Sequence, residues 1–384
     1  MNFRSKLPYV TNHIFSHITA LAQQHNALNL SQGFPNFEPA QGLKDLVSEC
    51  MQDKSLPSVH QYAPMPGLPL LREQIAAKLS ATYNIAVNPN TEITIGIGAT
   101  EMIFSAIAAF VWPGDEVIII EPCFDIYRPI IDMVGGKTVV YKTRYPNFAI
   151  DWDELAGLIN SRTRIICICT PNNPTGTLFT KHDIEQLTAL VHNTDILIVS
   201  DEVYEHVIFD GARHESLLQY PGLRERTFAA YSFGKTYHIT GWKIGYCVAP
   251  PALTVELRKV HQNAVYAASH PLQKAIALYM QQSTDYLELP VFYQCKRDLF
   301  LQATIASRFR PLPCAGGYFQ LFDYSEISDE NDVAFCERLI KQYGVAAIPV
   351  SRLYMDQQDD HIIRFCFAKT DELLLAAGER LCRV

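Results

Sequence analysis

Between residues 90 and 250 the chain alternates short apolar runs with longer mixed stretches. The runs fall at 93–97, 117–120, 138–141, 164–169, 196–200, 227–231 and 244–248. Several carry apolar residues at consecutive positions, the pattern of strands buried on both faces. The stretches between them, such as 100–110, 152–159 and 181–191, have the length and polarity of helices. This alternation predicts an α/β fold, a mostly parallel seven-stranded sheet flanked by helices.

Outside this region the pattern differs. Residues 14–25, 43–53 and 70–83 predict helices, while 29–37 (NLSQGFPNF) and 61–69 (QYAPMPGLP) are loops punctuated by Gly and Pro. After about residue 275 come helices at 271–281, 290–307, 332–343 and 371–380, with strands at 317–322, 344–348 and 362–367. That change predicts a smaller α+β domain. The expected division is a large domain of 46–279 and a small one assembled from 1–45 and 280–384.

Composition narrows the classes of function. A hydrophobic content of 48% and a charged content of 19% over 384 residues describe a globular chain with a sizeable core. A formal charge of −8 argues against bulk binding to nucleic acid or anionic membrane. No apolar run is long enough to cross a bilayer, and residues 1–8 (MNFRSKLP) lack an apolar signal core. The ten cysteines form no C-x-x-C pair, and Cys167 and Cys169 alternate within an apolar run. They are expected to be core thiols of a cytoplasmic enzyme, with no metal site.

In a parallel sheet the carboxyl ends of the strands share one edge, so the residues directly after each run carry information. There stand Gly98, Ala99 and Thr100, then Glu121 and Phe124, then Thr170 to Gly176 with Asn173, then Asp201 and Tyr204, then Ser232 and Lys235. Lys235 lies among Phe, Gly, Thr and Tyr without a neighbouring charge, where desolvation lowers an amine's pKa toward the nucleophilic range. A second lysine, Lys243, comes eight residues later. The free N–H groups of a helix opening at 98–100 suit a phosphate, and Thr100 is also a good N-cap. GIGATE with Glu121 further on imitates a dinucleotide fingerprint, but Glu101 replaces its third glycine.

Taken together, Asn-Pro-Thr-Gly (173–176), Asp-x-x-Tyr (201–204) and Ser-x-x-Lys (232–235) with Lys243 beyond resemble the class I aminotransferases, pyridoxal-phosphate enzymes of fold type I. The likeness runs from NLSQGFPNF to IIRFCFAK and is greatest to the methionine/aromatic and kynurenine branch. The resemblance implies that Lys235 is the lysine joined covalently to pyridoxal 5′-phosphate. It implies that Asp201 pairs with the pyridine nitrogen, that Tyr204 and Asn173 bond the ring oxygen, and that Phe124 stacks on the ring. Ala99, Thr100, Ser232 and Lys243 would hold the phosphate, with Tyr62 from a partner subunit. Gly33 and Arg364 would bind the substrate carboxylate, arginine's planar fork suiting that task. Lys243 stands where many members have arginine, and Ala99 where some have glycine.

The activity so implied is ping-pong transfer of an amino group to a 2-oxo acid by a homodimer. A carbon–sulfur β-lyase on the same fold is the alternative, with an NAD-dependent dehydrogenase or a non-enzymatic relative more remote. Members acting on dicarboxylates carry a second arginine, and residues 263–271 offer Tyr266 and His270 instead. With Phe15 and Phe34 near Gly33, the pocket is expected to take methionine, phenylalanine, tyrosine, histidine, glutamine or kynurenine.

Overall fold

The computed structural model describes residues 4–10, 14–55 and 58–384. The first three residues of the stretch read as lacking a signal core therefore lie outside the described residues. Seven strands form the main sheet: β1 Ile93–Gly96, β2 Glu116–Glu121, β3 Lys137–Lys142, β4 Thr163–Cys169, β5 Leu197–Asp201, β6 Thr227–Ser232 and β7 Gly245–Val248. Their order across the sheet is β1-β7-β6-β5-β4-β2-β3. All pairs are parallel except those of β7, which runs against both β6 and β1.

The consecutive apolar residues are explained by two cores. Along β2, Val117 and Ile119 pack into one cluster with Ile103, Ile107 and Phe228, while Ile118 and Ile120 pack into another with Ile166, Leu187 and Ile198. Successive side chains of a strand point to opposite faces, so a strand covered by helices on both sides needs no polar alternation. β3 closes one edge, and its terminal lysines, Lys137 and Lys142, suit that exposed position.

A second, four-stranded antiparallel sheet is built from Arg310–Pro311, Phe319–Asp323, Ile348–Pro349 and Ile362–Cys366. The amino-terminal strand Leu28–Asn29 pairs in parallel with Val345–Ala346. The first and last parts of the chain thus meet.

Several predicted elements are shorter. The helix expected at 152–159 is Trp152–Ala156, ending at Gly157. That expected at 290–307 stops at Ala303, where the Thr304 hydroxyl bonds back to the Phe300 carbonyl. The stretch 332–343 is helical to Arg338 and then widens into a π turn closed by Gly344 at φ +68°. The strand expected at 317–322 starts only at Phe319, because Gly317 adopts φ +72°. Among the described residues no helix is long and apolar enough to cross a membrane, and no group of three or more His, Cys, Asp or Glu could hold a metal. Eight of the ten thiols are buried; Cys295 is exposed and Cys382 half-buried, so the expectation of core thiols fails at those two.

Candidate active site

The carboxyl ends of β1, β2, β4, β5 and β6 open onto a cavity of about 510 Å³. The antiparallel β7 contributes from its start, so Lys243, one residue before Ile244, reaches the same edge. The cavity gathers Phe15, Gly33, Phe34, Ala99, Thr100, Phe124, Asn173, Asp201, Tyr204, Ser232, Lys235, Lys243 and Arg364. Every one of these is a residue singled out from the sequence.

At one end lies the start of helix Gly98–Phe110. Its N-cap is Ile97, so Thr100 is not the cap but the third residue of the first turn. The cap position is served by Glu101, whose carboxylate accepts from the Ile97 N–H at 3.2 Å and from the Ser105 hydroxyl at 2.7 Å. The N–H groups of Gly98, Ala99 and Thr100 have no partner within the helix, as geometry requires of a first turn. Lys243 stands beside them; a Cβ built on Gly98 would come 3.5 Å from its Nζ. No carboxylate pairs with Lys243 among the described residues. A helix end with a spare cation can hold a phosphate.

Lys235 occupies the middle. Its Nζ donates to the Tyr318 hydroxyl at 2.8 Å and to the Gly33 carbonyl at 3.2 Å. Burial pushes its pKa down to about 8, Asp201 and Cys366 opposing that shift and Arg364 and Lys243 adding to it. Asp201, at the end of β5, is buried; its Oδ2 accepts from the Tyr127 hydroxyl at 2.9 Å. Desolvation pushes its pKa up to about 6 against the lowering effect of that bond and of Lys235. A carboxylate so placed calls for a cation inside the cavity.

Arg364 lies at the other end, in the central strand of the second sheet and almost wholly buried. Its Nη1 donates to the Asn173 Oδ1 at 2.7 Å and its Nη2 to the Ser31 carbonyl at 3.2 Å. Its Nε has no partner. The Phe319 ring lies 4.0 Å from the guanidinium carbon and the Phe15 ring 5.4 Å. With one buried donor unsatisfied, this arginine is equipped to take a carboxylate.

Three other residues, Tyr62 (expected from a partner subunit), Tyr266 and His270, lie outside the cavity of this chain. Tyr62 is 82% exposed and packs edge-on against Tyr266 at 5.3 Å, both outside the cavity. His270 opens helix His270–Gln282 with its Nδ1 3.1 Å from the Gln61 carbonyl, and so braces the loop that carries Tyr62. Tyr318, Tyr127, Phe319 and Ile103 were not foreseen. The first two enter through contacts with Lys235 and Asp201 from remote parts of the sequence, a relation no local motif records.

The dinucleotide alternative fails on the same geometry. Glu101 turns away to His261, 3.1 Å from its Nδ1, and its Oε2 would lie 2.1 Å from a Cβ on Gly96. Glu121 accepts from the Met355 N–H at 3.0 Å instead of standing where a ribose would lie. Pyridoxal phosphate, by contrast, fits the groups gathered here. A phosphate would answer the open helix turn and Lys243, a protonated ring nitrogen the buried Asp201, and an aldehyde carbon Lys235.

A fold and site of this kind define the pyridoxal-phosphate enzymes of fold type I. The model of the family described as aminotransferase class I and II matches residues 25–381, and the chain belongs to that family. It is 44% identical to the methionine aminotransferase of Escherichia coli (strain K12), covering 98% of this chain and 97% of that one. It is 33% identical to kynurenine–oxoglutarate transaminase 1 of Mus musculus, over 95% and 93% of the two chains. A solved structure from Escherichia coli, described as having a methionine aminotransferase function, superposes with a TM-score of 0.96 over the whole of both chains at 44% identity. The protein is therefore a transaminase acting on amino acids and 2-oxo acids, with pyridoxal 5′-phosphate as cofactor.

Proposed function

We propose that the amino donor is a neutral, long or aromatic amino acid, with methionine and phenylalanine as the leading examples, and that the transfer is ping-pong. The observation carrying this is the distribution of charge around the cavity. Among the described residues its lining cations are Lys243 beside the helix turn, Lys235 in the middle and Arg364 at the far end, while Phe15, Phe34, Phe124, Phe319 and Ile103 supply apolar wall. Once phosphate and α-carboxylate have taken Lys243 and Arg364, a side-chain carboxylate would be buried unpaired, which costs several kcal/mol. The Escherichia coli relative named for methionine and the mouse relative named for kynurenine support the same class.

In this reading Ala99, Thr100, Ser232 and Lys243 hold the phosphate, and Phe124 lies against the ring. Asp201, positioned by Tyr127, keeps the ring nitrogen protonated, while Tyr204 and Asn173 bond the ring oxygen. Gly33 and Arg364 orient the substrate by its carboxylate, so that the α-proton faces Lys235. The bound cofactor supplies an electron sink that stabilises the charge left at the α-carbon. Lys235, with a pKa of about 8, is uncharged in about a tenth of molecules at pH 7 and in that form can take up that proton and return it.

Further parts of the proposal concern the whole protein. A homodimer would bring Tyr62, and with it Tyr266, into the neighbour's cavity, and the enzyme would work in the cytoplasm. A large domain at 46–279 and a small one from 1–45 and 280–384 are supported by the two sheets, which share no strand. Half-reaction rates for methionine, phenylalanine and aspartate test the donor class. Methionine and phenylalanine are expected to exceed aspartate by about a hundredfold in kcat/KM; equal rates overturn it. Release of pyruvate and ammonia without an oxo-acid acceptor would favour β-elimination instead.

A further inference from the structure

Two acceptors hold the Lys235 amine, and one of them is a side chain. The Tyr318 hydroxyl donates its own hydrogen to the Gly33 carbonyl at 2.6 Å, so toward Lys235 it can only accept. The Gly33 carbonyl accepts from Lys235 as well. Burial raises the phenol's pKa well above its usual 10, so it keeps its hydrogen and its donor role.

The triangle is rigidly built. Tyr318 is fully buried, with its ring edge-on to Tyr204 at 4.9 Å and to Phe319 at 5.0 Å, and near Tyr293 at 5.7 Å. Its own carbonyl accepts from the Phe367 N–H at 3.0 Å. Gly33 must be glycine, since a Cβ there would lie 2.7 Å from the Phe319 ring. That close approach brings its carbonyl within reach of both donors.

We propose that Tyr318 is a positioning residue that aims the Lys235 amine as a base. A neutral primary amine has two N–H bonds and one lone pair. Tyr318 and the Gly33 carbonyl engage both N–H bonds, leaving the lone pair as the only open valence. The lone pair takes the proton from the substrate α-carbon while the C–H electron pair passes to the bound cofactor. The resulting ammonium carries that proton on the one N–H that neither acceptor holds, ready for return. This deepens the proposed role of Lys235 and rests on it.

The test begins with cofactor-free protein. The pH dependence of Lys235 acetylation by acetic anhydride, read by mass spectrometry of its peptide, reports the pKa of the amine. Besides Tyr318, the groups facing this amine are Asp201, Arg364, Lys243, Cys366 and Tyr204. The wild-type value is expected near 8. Tyr318→Phe keeps the ring but removes an acceptor that favours the ammonium, so the value should fall by roughly one unit. In the loaded enzyme, loss of deuterium from α-deuterated methionine should slow about 10- to 100-fold while cofactor affinity stays within about twofold. Tyr293→Phe removes a neighbouring buried hydroxyl that has no partner and should move neither readout. Tyr318→Phe with wild-type pKa and wild-type deuterium loss overturns the proposal, even if its thermal stability has changed. An active Lys235→Ala overturns instead the assignment of Lys235 as the base.

Discussion

Asp201 shows how much a single position is asked to do. Its carboxylate is buried and held by one phenol, and desolvation raises its pKa to about 6. Asparagine has the same shape but cannot keep a ring nitrogen protonated. Asp201→Asn should therefore bind the cofactor nearly as well as wild type yet lose about a thousandfold or more in single-turnover proton transfer. Equal rates would assign the task to another residue. The same group makes a prediction for the cofactor-free protein. Its folded pKa of about 6 exceeds the unfolded value of about 3.9, so its contribution to stability is fully present below pH 4 and is lost as pH rises through 6. Asp201→Asn should abolish that decline in urea titrations at pH 4 and 7. Asp201, Asn173 and Lys235 were legible in the sequence because each stands at or just after the end of an apolar strand, on the edge where the chemistry collects, whereas Lys243 precedes its run and took its role from the family's pattern. Arg364 lies within a strand and was reached only through the family's pattern. Tyr318 was not legible: its partner Gly33 is 285 positions away, and nothing near either residue signals the contact.

At the scale of elements, strand existence was readable and strand direction was not. The apolar run at 244–248 looks like its neighbours, yet β7 is antiparallel, and only this reversal places Lys243 at the site. The end of β2 is the second case. Glu121 looked like a ribose-binding acid. In the fold its Oε1 instead accepts from the Met355 N–H, which ties the turn Val350–Leu353 and the residues after it to the sheet. Its Oε2 is buried without a partner, and burial raises its pKa to about 7, opposed by the Met355 bond and by Lys142 and Arg128, with Asp356 adding to the rise. The ionised form is thus disfavoured in the folded state. Stability from this group is full below about pH 4.5 and falls as pH rises through 7. Glu121→Gln keeps an acceptor for Met355 and cannot ionise. It should match wild type at pH 4 and exceed it by about 3 kcal/mol at pH 8 in urea unfolding of cofactor-free protein. A difference independent of pH would sink this account.

The whole molecule poses the question that one chain leaves open at its surface. Tyr62 and Tyr266 pack against each other outside the cavity, on a loop and a helix end braced by His270. A tyrosine 82% exposed gains little from its own fold, and an edge-on aromatic pair suits an interface core. If a second copy carries Tyr62 into the first copy's site, the site belongs to two chains. That arrangement has a consequence a monomer cannot imitate. Lys235→Ala and Tyr62→Ala should each be strongly impaired alone, because each alters every site of its own homodimer. When the two are unfolded together and refolded as an equal mixture, half of the dimers are expected to be hybrids. In a hybrid, one site carries both defects and the other carries neither. About a quarter of all sites are then intact, so the mixture should regain about a quarter of wild-type turnover. The gain should follow the amount of hybrid dimer separated by a charge tag on one variant. A mixture no more active than the mean of its two parents would place Tyr62 in the same chain's function or in none. Sedimentation of a fully active monomer at assay concentration would remove the shared site altogether.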